Sequence, residues 1–222
     1  MKQENGEKMA EINGLLVMDV DSTLIQEEVI DQLGEAIGKG EEIASITDQA
    51  MRGELDFRQS LEKRVSLLKG LSDSIFEEVL ANLHFTIGAE KLVSELHRRG
   101  YKVGLVSGGF HEIVDKLAEK LRIDYVKANR LEVKDGILTG RVTGDIVTKE
   151  VKKEKLEEWA SKNQLDMSKT VAVGDGANDL LMLKRAGLGI AFCAKPIVRE
   201  QADYQITEPD LYQVISLIDN YL

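Results

Sequence analysis

The chain has 222 residues, 43% of them hydrophobic, and its formal net charge at pH 7 is -10. This length allows one substantial core with room for a small second domain. The acidic excess argues against nucleic acid and acidic membranes as partners, because both are polyanions. A phosphorylated small molecule remains compatible, because a bound cation and a few basic side chains can reverse the field locally.

The amino terminus is polar and carries no apolar run of the kind found in secretion signals. We expect residues 1–10 to be flexible. No later run reaches the roughly 18 apolar residues of a membrane span, so we predict a cytoplasmic protein. The single cysteine, Cys193, excludes an intrachain disulfide, and its apolar neighbours predict a buried side chain.

Four apolar runs predict buried parallel strands, because a strand that is covered on both faces is apolar throughout. They span residues 15–18, 102–106, 170–173 and 188–192. Helical patterns accompany them at residues 89–99, 112–121, 150–163 and 178–186. The alternation predicts an α/β fold with a doubly wound parallel sheet.

Two segments interrupt the alternation. Residues 26–83 have helical character with glycine punctuation and no convincing strand. We therefore predict a small helical cap domain, residues 25–85, inserted after the first strand into a core of residues 11–24 and 86–222. In the second segment, residues 130–147, Asp135-Gly136 between β-prone stretches predicts a tight hairpin turn.

Two carboxylates, Asp19 and Asp21, follow the first predicted strand. At about 4 Å they would repel by roughly 4 kcal/mol at an effective dielectric constant of 20, so a cation or a shared proton must offset them. The alternative is structural: one aspartate caps the next helix and the other is solvated.

Further polar groups follow the second and third predicted strands, and the carboxyl ends of parallel strands share one edge of a sheet. Ser107-Gly108-Gly109 could cradle a phosphate, or could be an ordinary glycine turn. Residues 174–179, Gly-Asp-Gly-Ala-Asn-Asp, offer hard oxygen ligands that suit Mg²⁺, or could simply cap a helix. Lys152 lies near a predicted helix start among other lysines, and considered singly it is expected to be solvated.

The order of these segments resembles that of the haloacid dehalogenase superfamily, in its phosphatase branch with a helical cap between the first two motifs. The similarity runs from about Gly14 to Gln205. Three stretches carry a closer match: residues 19–28, residues 51–57 with 64–68, and residues 172–179 with 190–196. Val20 stands where the family commonly has Phe, which removes no reacting group.

This resemblance implies a Rossmann-like core and Mg²⁺-dependent hydrolysis of O-phospho-L-serine through an aspartyl-phosphate intermediate, the last step of serine biosynthesis. Asp19 would be the nucleophile, and Asp21 would donate and then accept a proton. The ion would be held by the Asp19 side chain, the Asp21 carbonyl and Asp175, with Asp179 in support.

The resemblance also implies the substrate contacts. The phosphate would be bound by Ser107, Gly108, Lys152 and Asn178. In the cap, Glu28 would face the ammonium group and Arg64 the carboxylate, beneath an apolar lid of Met51 and Phe57. Without the resemblance, these four cap residues would be interpreted as solvated charges and ordinary cap core.

Two alternatives stay open at this point. One is a related enzyme that acts on a different phosphate ester, or that transfers the phosphoryl group to another alcohol. The other is a signalling module with a phosphorylated aspartate, although such a fold needs only about 120 residues and has no helical insertion. The sequence is compatible with a monomer or a homodimer.

Overall fold

The structure is a computed structural model that describes residues 12–51 and 54–222. The amino terminus that we predict to be flexible, residues 1–10, lies outside the described residues, and so does the side chain of Met51.

A seven-stranded sheet forms the centre of the fold, in the order β4-β3-β2-β1-β5-β6-β7. Neighbouring strands are parallel except β3 and β4, which are antiparallel. The predicted sheet is confirmed, whereas β7 was not predicted. The strands are β1 (Gly14–Met18), β2 (Tyr101–Phe110), β3 (Tyr125–Lys134), β4 (Ile137–Thr143), β5 (Thr170–Gly174), β6 (Leu188–Phe192) and β7 (Tyr204–Ile206).

Ten α-helices surround this sheet in the described part of the chain. They are α1 (Val29–Ala36), α2 (Gly40–Met51), α3 (Phe57–Ser66), α4 (Ile75–Ala81), α5 (Ala89–Arg98), α6 (His111–Leu121), α7 (Lys149–Lys162), α8 (Leu180–Arg185), α9 (Pro196–Arg199) and α10 (Gln213–Tyr221). Across the described ranges, no helix has the length and apolar character that crossing a bilayer requires.

The core lies on both faces of the sheet. Along β1, Leu16 and Met18 belong to one apolar cluster and Leu15 and Val17 to another, and all four are fully buried. Alternate residues of a strand point to opposite faces, so helices cover the sheet on both sides. This burial explains the unbroken apolar runs in the sequence.

The helices α1–α4 form the inserted segment. Its two ends meet beside the sheet, where Gln26 N donates to His84 O at 3.0 Å and Thr86 N donates to Leu24 O at 2.9 Å. Two further backbone hydrogen bonds, of 2.9 and 2.8 Å, join residues 70 and 71 to Leu138 of β4. The segment is thus fixed to the sheet at its ends and again at the hairpin.

The β3–β4 hairpin turns at Asp135 and Gly136, which have φ angles of 53° and 76°. Positive φ at both central residues is typical of a type I′ turn, which glycine adopts without steric cost. The predicted Asp-Gly turn is confirmed.

The prediction of a buried Cys193 is wrong. Its side chain is exposed, because β6 ends at Phe192 and the chain leaves the sheet there. The Cys193 backbone has a φ angle of 43°, and its thiol donates to Thr207 O at 3.7 Å. Apolar neighbours indicated a strand correctly but not the residue at which it ends.

Candidate active site

A cleft of about 550 Å³ lies between the carboxyl ends of β1, β2 and β5 and the inserted helices. Parallel strands bring these ends to one edge, so residues far apart in the sequence meet there. Eight of the residues predicted for the site line the cleft: Asp19, Asp21, Glu28, Phe57, Arg64, Gly108, Asp175 and Asn178. Three others lie behind its wall: Ser107, Lys152 and Asp179.

A buried lysine bridges two buried carboxylates beneath the cleft. Lys152 Nζ lies 2.8 Å from Asp19 Oδ2 and 2.7 Å from Asp179 Oδ1. Burial by itself would lower the pKa of Lys152, but Asp179 and Asp19 raise it above its ordinary value, so the ammonium group stays charged. Solvation, which we expected for Lys152 considered singly, is wrong because these two partners offset its desolvation.

Asp19 is 4% exposed and is held from two sides. Its Oδ1 accepts a hydrogen bond from Val20 N at 2.8 Å, while Oδ2 faces Lys152. Burial raises the pKa of Asp19, Lys152 opposes this increase, and Asp179 and Asp21 add to it. The net effect is a pKa above the ordinary value for aspartate, so the ionised form of Asp19 depends on nearby positive charge such as that of Lys152.

Three carboxylates form a cluster with the composition of a metal site. One oxygen from each of Asp19, Asp175 and Asp179 lies within 4.8 Å of the others. Burial, followed by the charge of Asp179, raises the pKa of Asp175 to about 6. Because Lys152 balances only one of these charges, the donor set fits a divalent cation.

Asp21 lies two residues after Asp19, on the segment that follows β1. Its Oδ1 accepts from Val29 N at 3.0 Å, and its Oδ2 accepts from Ser107 Oγ at 3.4 Å. Burial, and then the neighbouring charge of Glu28, raise the pKa of Asp21 to about 7. A carboxyl group with this pKa can donate or accept a proton near neutral pH.

The strand β2 continues to Phe110, so Ser107, Gly108 and Gly109 lie within it and not after it, where its pairing with β3 shifts register. This irregular segment, the β2 turn, lies beside Asp21. Gly109 N donates to Ser107 Oγ at 2.8 Å, which fixes the buried hydroxyl in place. A Cβ atom on Gly109 would lie 2.8 Å from Asp21 Oδ2, so this close approach requires glycine.

The inserted helices supply charges on the other wall of the cleft. Glu28 Oε1 accepts from Ser22 Oγ at 2.6 Å, and Arg64 Nε donates to Ser60 O at 3.3 Å. Burial lowers the pKa of Arg64, while the acidic groups Asp31, Glu28 and Asp21 oppose this change. Arg64 therefore remains a cation in an acidic environment.

Phe57 lies over the β2 turn and is 39% exposed. Its ring would lie 3.6 Å from a Cβ atom placed on Gly108. The start of α3 therefore lies close to the sheet side of the cleft at Gly108.

Two charged residues of the cleft escaped the sequence prediction, Asp31 and Lys195. Asp31 lies in the first turn of α1, three residues after Glu28 at the N-cap, and this spacing of about one helical turn could have indicated it. Lys195 follows β6 after a short turn, and its position beside Asp175 depends on tertiary structure.

The sequence matches the profile of haloacid dehalogenase-like hydrolases over residues 16–184. A phosphoserine phosphatase of Streptococcus thermophilus is 69% identical, and the match covers 95% of this chain and 98% of that protein. A phosphoserine phosphatase of Lactococcus lactis is 56% identical, with 93% and 95% covered. The chain belongs to the haloacid dehalogenase-like hydrolase family, so it is an enzyme.

Solved structures place the chain more narrowly within this family. A substrate-bound phosphoserine phosphatase superimposes with a TM-score of 0.87 at 48% identity, covering 92% of this chain and 98% of that one. A phosphoserine phosphatase with a phospho-aspartyl intermediate analogue gives the same TM-score and coverage at 49% identity. Sequence and fold thus match the phosphoserine phosphatases.

Proposed function

We propose that this enzyme hydrolyses O-phospho-L-serine to L-serine and inorganic phosphate through a phosphorylated Asp19. The observation that carries the proposal is one cleft with two chemically different walls. Asp19 and Asp21 line the sheet side, while Glu28 and Arg64 line the helical side. The phosphate and the amino-acid end of one small substrate could therefore be bound together.

In the first step, an Asp19 carboxylate oxygen bonds to phosphorus and the bond from phosphorus to the serine oxygen breaks. Asp21, in its protonated form, gives its proton to the departing serine oxygen. In the second step, Asp21 accepts a proton from water as the water oxygen bonds to phosphorus. The bond to Asp19 then breaks, which releases phosphate and restores both carboxyl groups.

The phosphate oxygens would be bound by donors at the end of β2 and by residues on either side of it. We assign this role to Ser107, the Gly108 amide, Lys152 and Asn178. Lys152 is held in place by Asp19 and Asp179, so its charge is positioned before the substrate arrives. Donors that are already oriented need little reorganisation as charge develops on the transferring group.

Mg²⁺ is the cation that we propose for the acidic cluster. The Asp19 side chain, the Asp21 carbonyl and Asp175 would hold it, and Asp179 would support them. When bound, it supplies neutralising charge and Lewis acidity to the phosphoryl group. Hard carboxylate and carbonyl oxygens are its usual protein ligands.

Replacing Asp175 with Asn should weaken the response to Mg²⁺. We expect saturating Mg²⁺ to raise the melting temperature of the wild type, because a ligand that binds only the native state stabilises it by about 2.7 kcal/mol at 100 times its Kd. Asp175→Asn removes a charged ligand, so its Mg²⁺ titration midpoint should shift upward. The matched control is Asp145→Asn, at an exposed position. Equal Mg²⁺ titration midpoints for the wild type and Asp175→Asn would show that Asp175 is not a metal ligand.

Substrate choice would rest on the cap, which we define as residues 25–85, with residues 11–24 and 86–222 as the core. Glu28 would face the substrate ammonium group, and Arg64 could form two parallel hydrogen bonds to its carboxylate. Phe57, with Met51, would exclude water above the reacting phosphate. These bounds and the cytoplasmic location both stay predictions.

The test compares phosphate release from L-phosphoserine and from an aryl phosphate, with and without Mg²⁺. Arg64→Ala should lower kcat/KM for phosphoserine by about 30-fold or more, since truncating one partner of a buried charge pair costs about 2 kcal/mol or more. The aryl phosphate has no carboxylate, so its kcat/KM should stay within about threefold of the wild-type value.

Arg58→Ala is the matched control, because Arg58 lies on the same helix with a side chain that is 62% exposed. Equal losses on both substrates would reject Arg64 as the carboxylate site. Activity on other esters alone would reject phosphoserine. Analysis of the products formed in the presence of competing alcohols distinguishes hydrolysis from phosphoryl transfer.

A further inference from the structure

We propose that Asn129 is a positioning residue that holds the phosphate-binding turn of β2 and the start of α7 in one arrangement. This inference rests on the proposed function, in which Gly108 and Lys152 bind the phosphate. Asn129 lies on β3, is 1% exposed, and was not singled out by the sequence. Its side chain forms two hydrogen bonds, each to the backbone of a different segment.

The first bond holds the β2 turn. The pairing of β2 with β3 is regular up to Val106 and resumes at Phe110, so the register shifts across the phosphate-binding turn. Asn129 Nδ2 donates to Gly108 O at 2.8 Å. The side chain thus supplies a donor to a carbonyl inside the shifted segment and restrains the rotation of that peptide group.

The second bond holds the segment that leads into α7. Asn129 Oδ1 accepts from Val147 N at 2.8 Å, and Val147 is 1% exposed. The next residue, Thr148, caps the helix, and its carbonyl accepts from Lys152 N at 3.0 Å. A shift of Val147 would therefore move the first turn of α7 and, with it, Lys152.

The two contacts need one donor and one acceptor on a short neutral side chain. Asparagine supplies both, with its NH₂ toward the carbonyl and its oxygen toward the amide. An aspartate has the same shape but, when ionised, accepts only and places its charge against Gly108 O. When protonated, it regains one donor and one acceptor. Asn129→Asp therefore converts the proposed role into a pH-dependent one.

The experiment measures aryl phosphate turnover and the binding of inorganic phosphate by calorimetry, both with Mg²⁺, for the wild type and Asn129→Asp. At pH 8 we expect Asn129→Asp to lose about 10- to 100-fold in kcat and a similar factor in phosphate affinity, the size typical of small displacements of binding groups. When the pH is lowered from 8 to 5.5, the ratio of variant to wild-type kcat should rise at least about tenfold, because protonation restores the missing donor.

The matched control is Thr170→Val, which removes a buried hydroxyl at the other end of the sheet that also bonds two backbone groups, Met167 O and Gly187 N. Its kcat ratio should not vary with pH. If Asn129→Asp does not fold, Asn129→Ser is measured at pH 8 and should lose phosphate affinity.

The proposal would be overturned if the variant that folds had the phosphate affinity and turnover of the wild type. It would also be overturned if the ratio of Asn129→Asp kcat to wild-type kcat did not change with pH. Phosphate binding does not depend on which ester is the substrate. A wild type that binds phosphate but leaves phosphoserine intact would therefore count against the proposed substrate and leave the role of Asn129 testable.

Discussion

Asp19→Asn should abolish turnover, with a loss on the order of 10⁴- to 10⁶-fold in kcat, as is typical when a covalent nucleophile is removed. An amide nitrogen or oxygen at this position is a poor nucleophile and cannot form the acyl phosphate. The fold should persist, because the amide oxygen can still accept from Val20 N and Lys152 keeps Asp179 as its partner. Turnover of both phosphoserine and an aryl phosphate should fall together.

The measurement joins steady-state kinetics to mass spectrometry of rapidly quenched enzyme. The wild type should show a phosphorylated species during turnover, and Asp19→Asn should show none. Asp203→Asn, at an exposed position, serves as the control for the same chemical change. Deamidation of the Asp19→Asn variant regenerates aspartate. Its residual activity is therefore compared with the fraction of the variant protein in which residue 19 is found to be aspartate. Turnover within about tenfold of the wild type, without deamidation, would exclude Asp19 as the nucleophile.

Lys152→Met should lower the free energy of unfolding by about 3–5 kcal/mol in the absence of divalent cations, the usual cost of removing one partner from a buried ion pair. Methionine fills a similar volume, so the loss comes mainly from the two carboxylates that remain buried without their cation. Turnover should also fall, by roughly 10²- to 10³-fold, because a preorganised charge on the phosphate is lost.

Urea denaturation with and without Mg²⁺ measures this effect. Mg²⁺ should restore more stability to Lys152→Met than it adds to the wild type, because a divalent cation replaces the missing positive charge beside Asp19 and Asp179. Lys149→Met provides the control, since Lys149 lies on the same helix with a side chain that is 57% exposed. If Lys152→Met and Lys149→Met had the same free energy of unfolding in the absence of Mg²⁺, the stabilising role of the buried ion pairs would be contradicted.

Much of the fold could be predicted because its signals are local. The strands around residues 15–18, 102–106, 170–173 and 188–192 are covered on both faces, and such burial leaves continuous apolar runs. The Asp135-Gly136 turn was predictable because few residues accept positive φ angles. In contrast, β7 has only three residues, and its pattern is too short to indicate a strand.

The candidate site was predictable where reactive residues directly follow a strand. Asp19 and Asp175 meet because parallel strands bring their carboxyl ends to one edge, a consequence of topology that the sequence order already contains. Lys195 and Asp31 escaped prediction, since charged residues in helices and turns are usually solvated. For Lys195, only the cleft distinguishes it from other surface charges.

The sequence by itself determined the order of the motifs, the class of sheet and the carboxylates that follow its strands, because each of these is carried by residues close together in the chain. Tertiary structure alone decided the state of Lys152 and the role that we infer for Asn129. A buried charge or amide is stable only when distant segments supply its partners, as Asp19 and Asp179 do for Lys152 and as Gly108 and Val147 do for Asn129. The free energy of burial therefore depends on the whole fold.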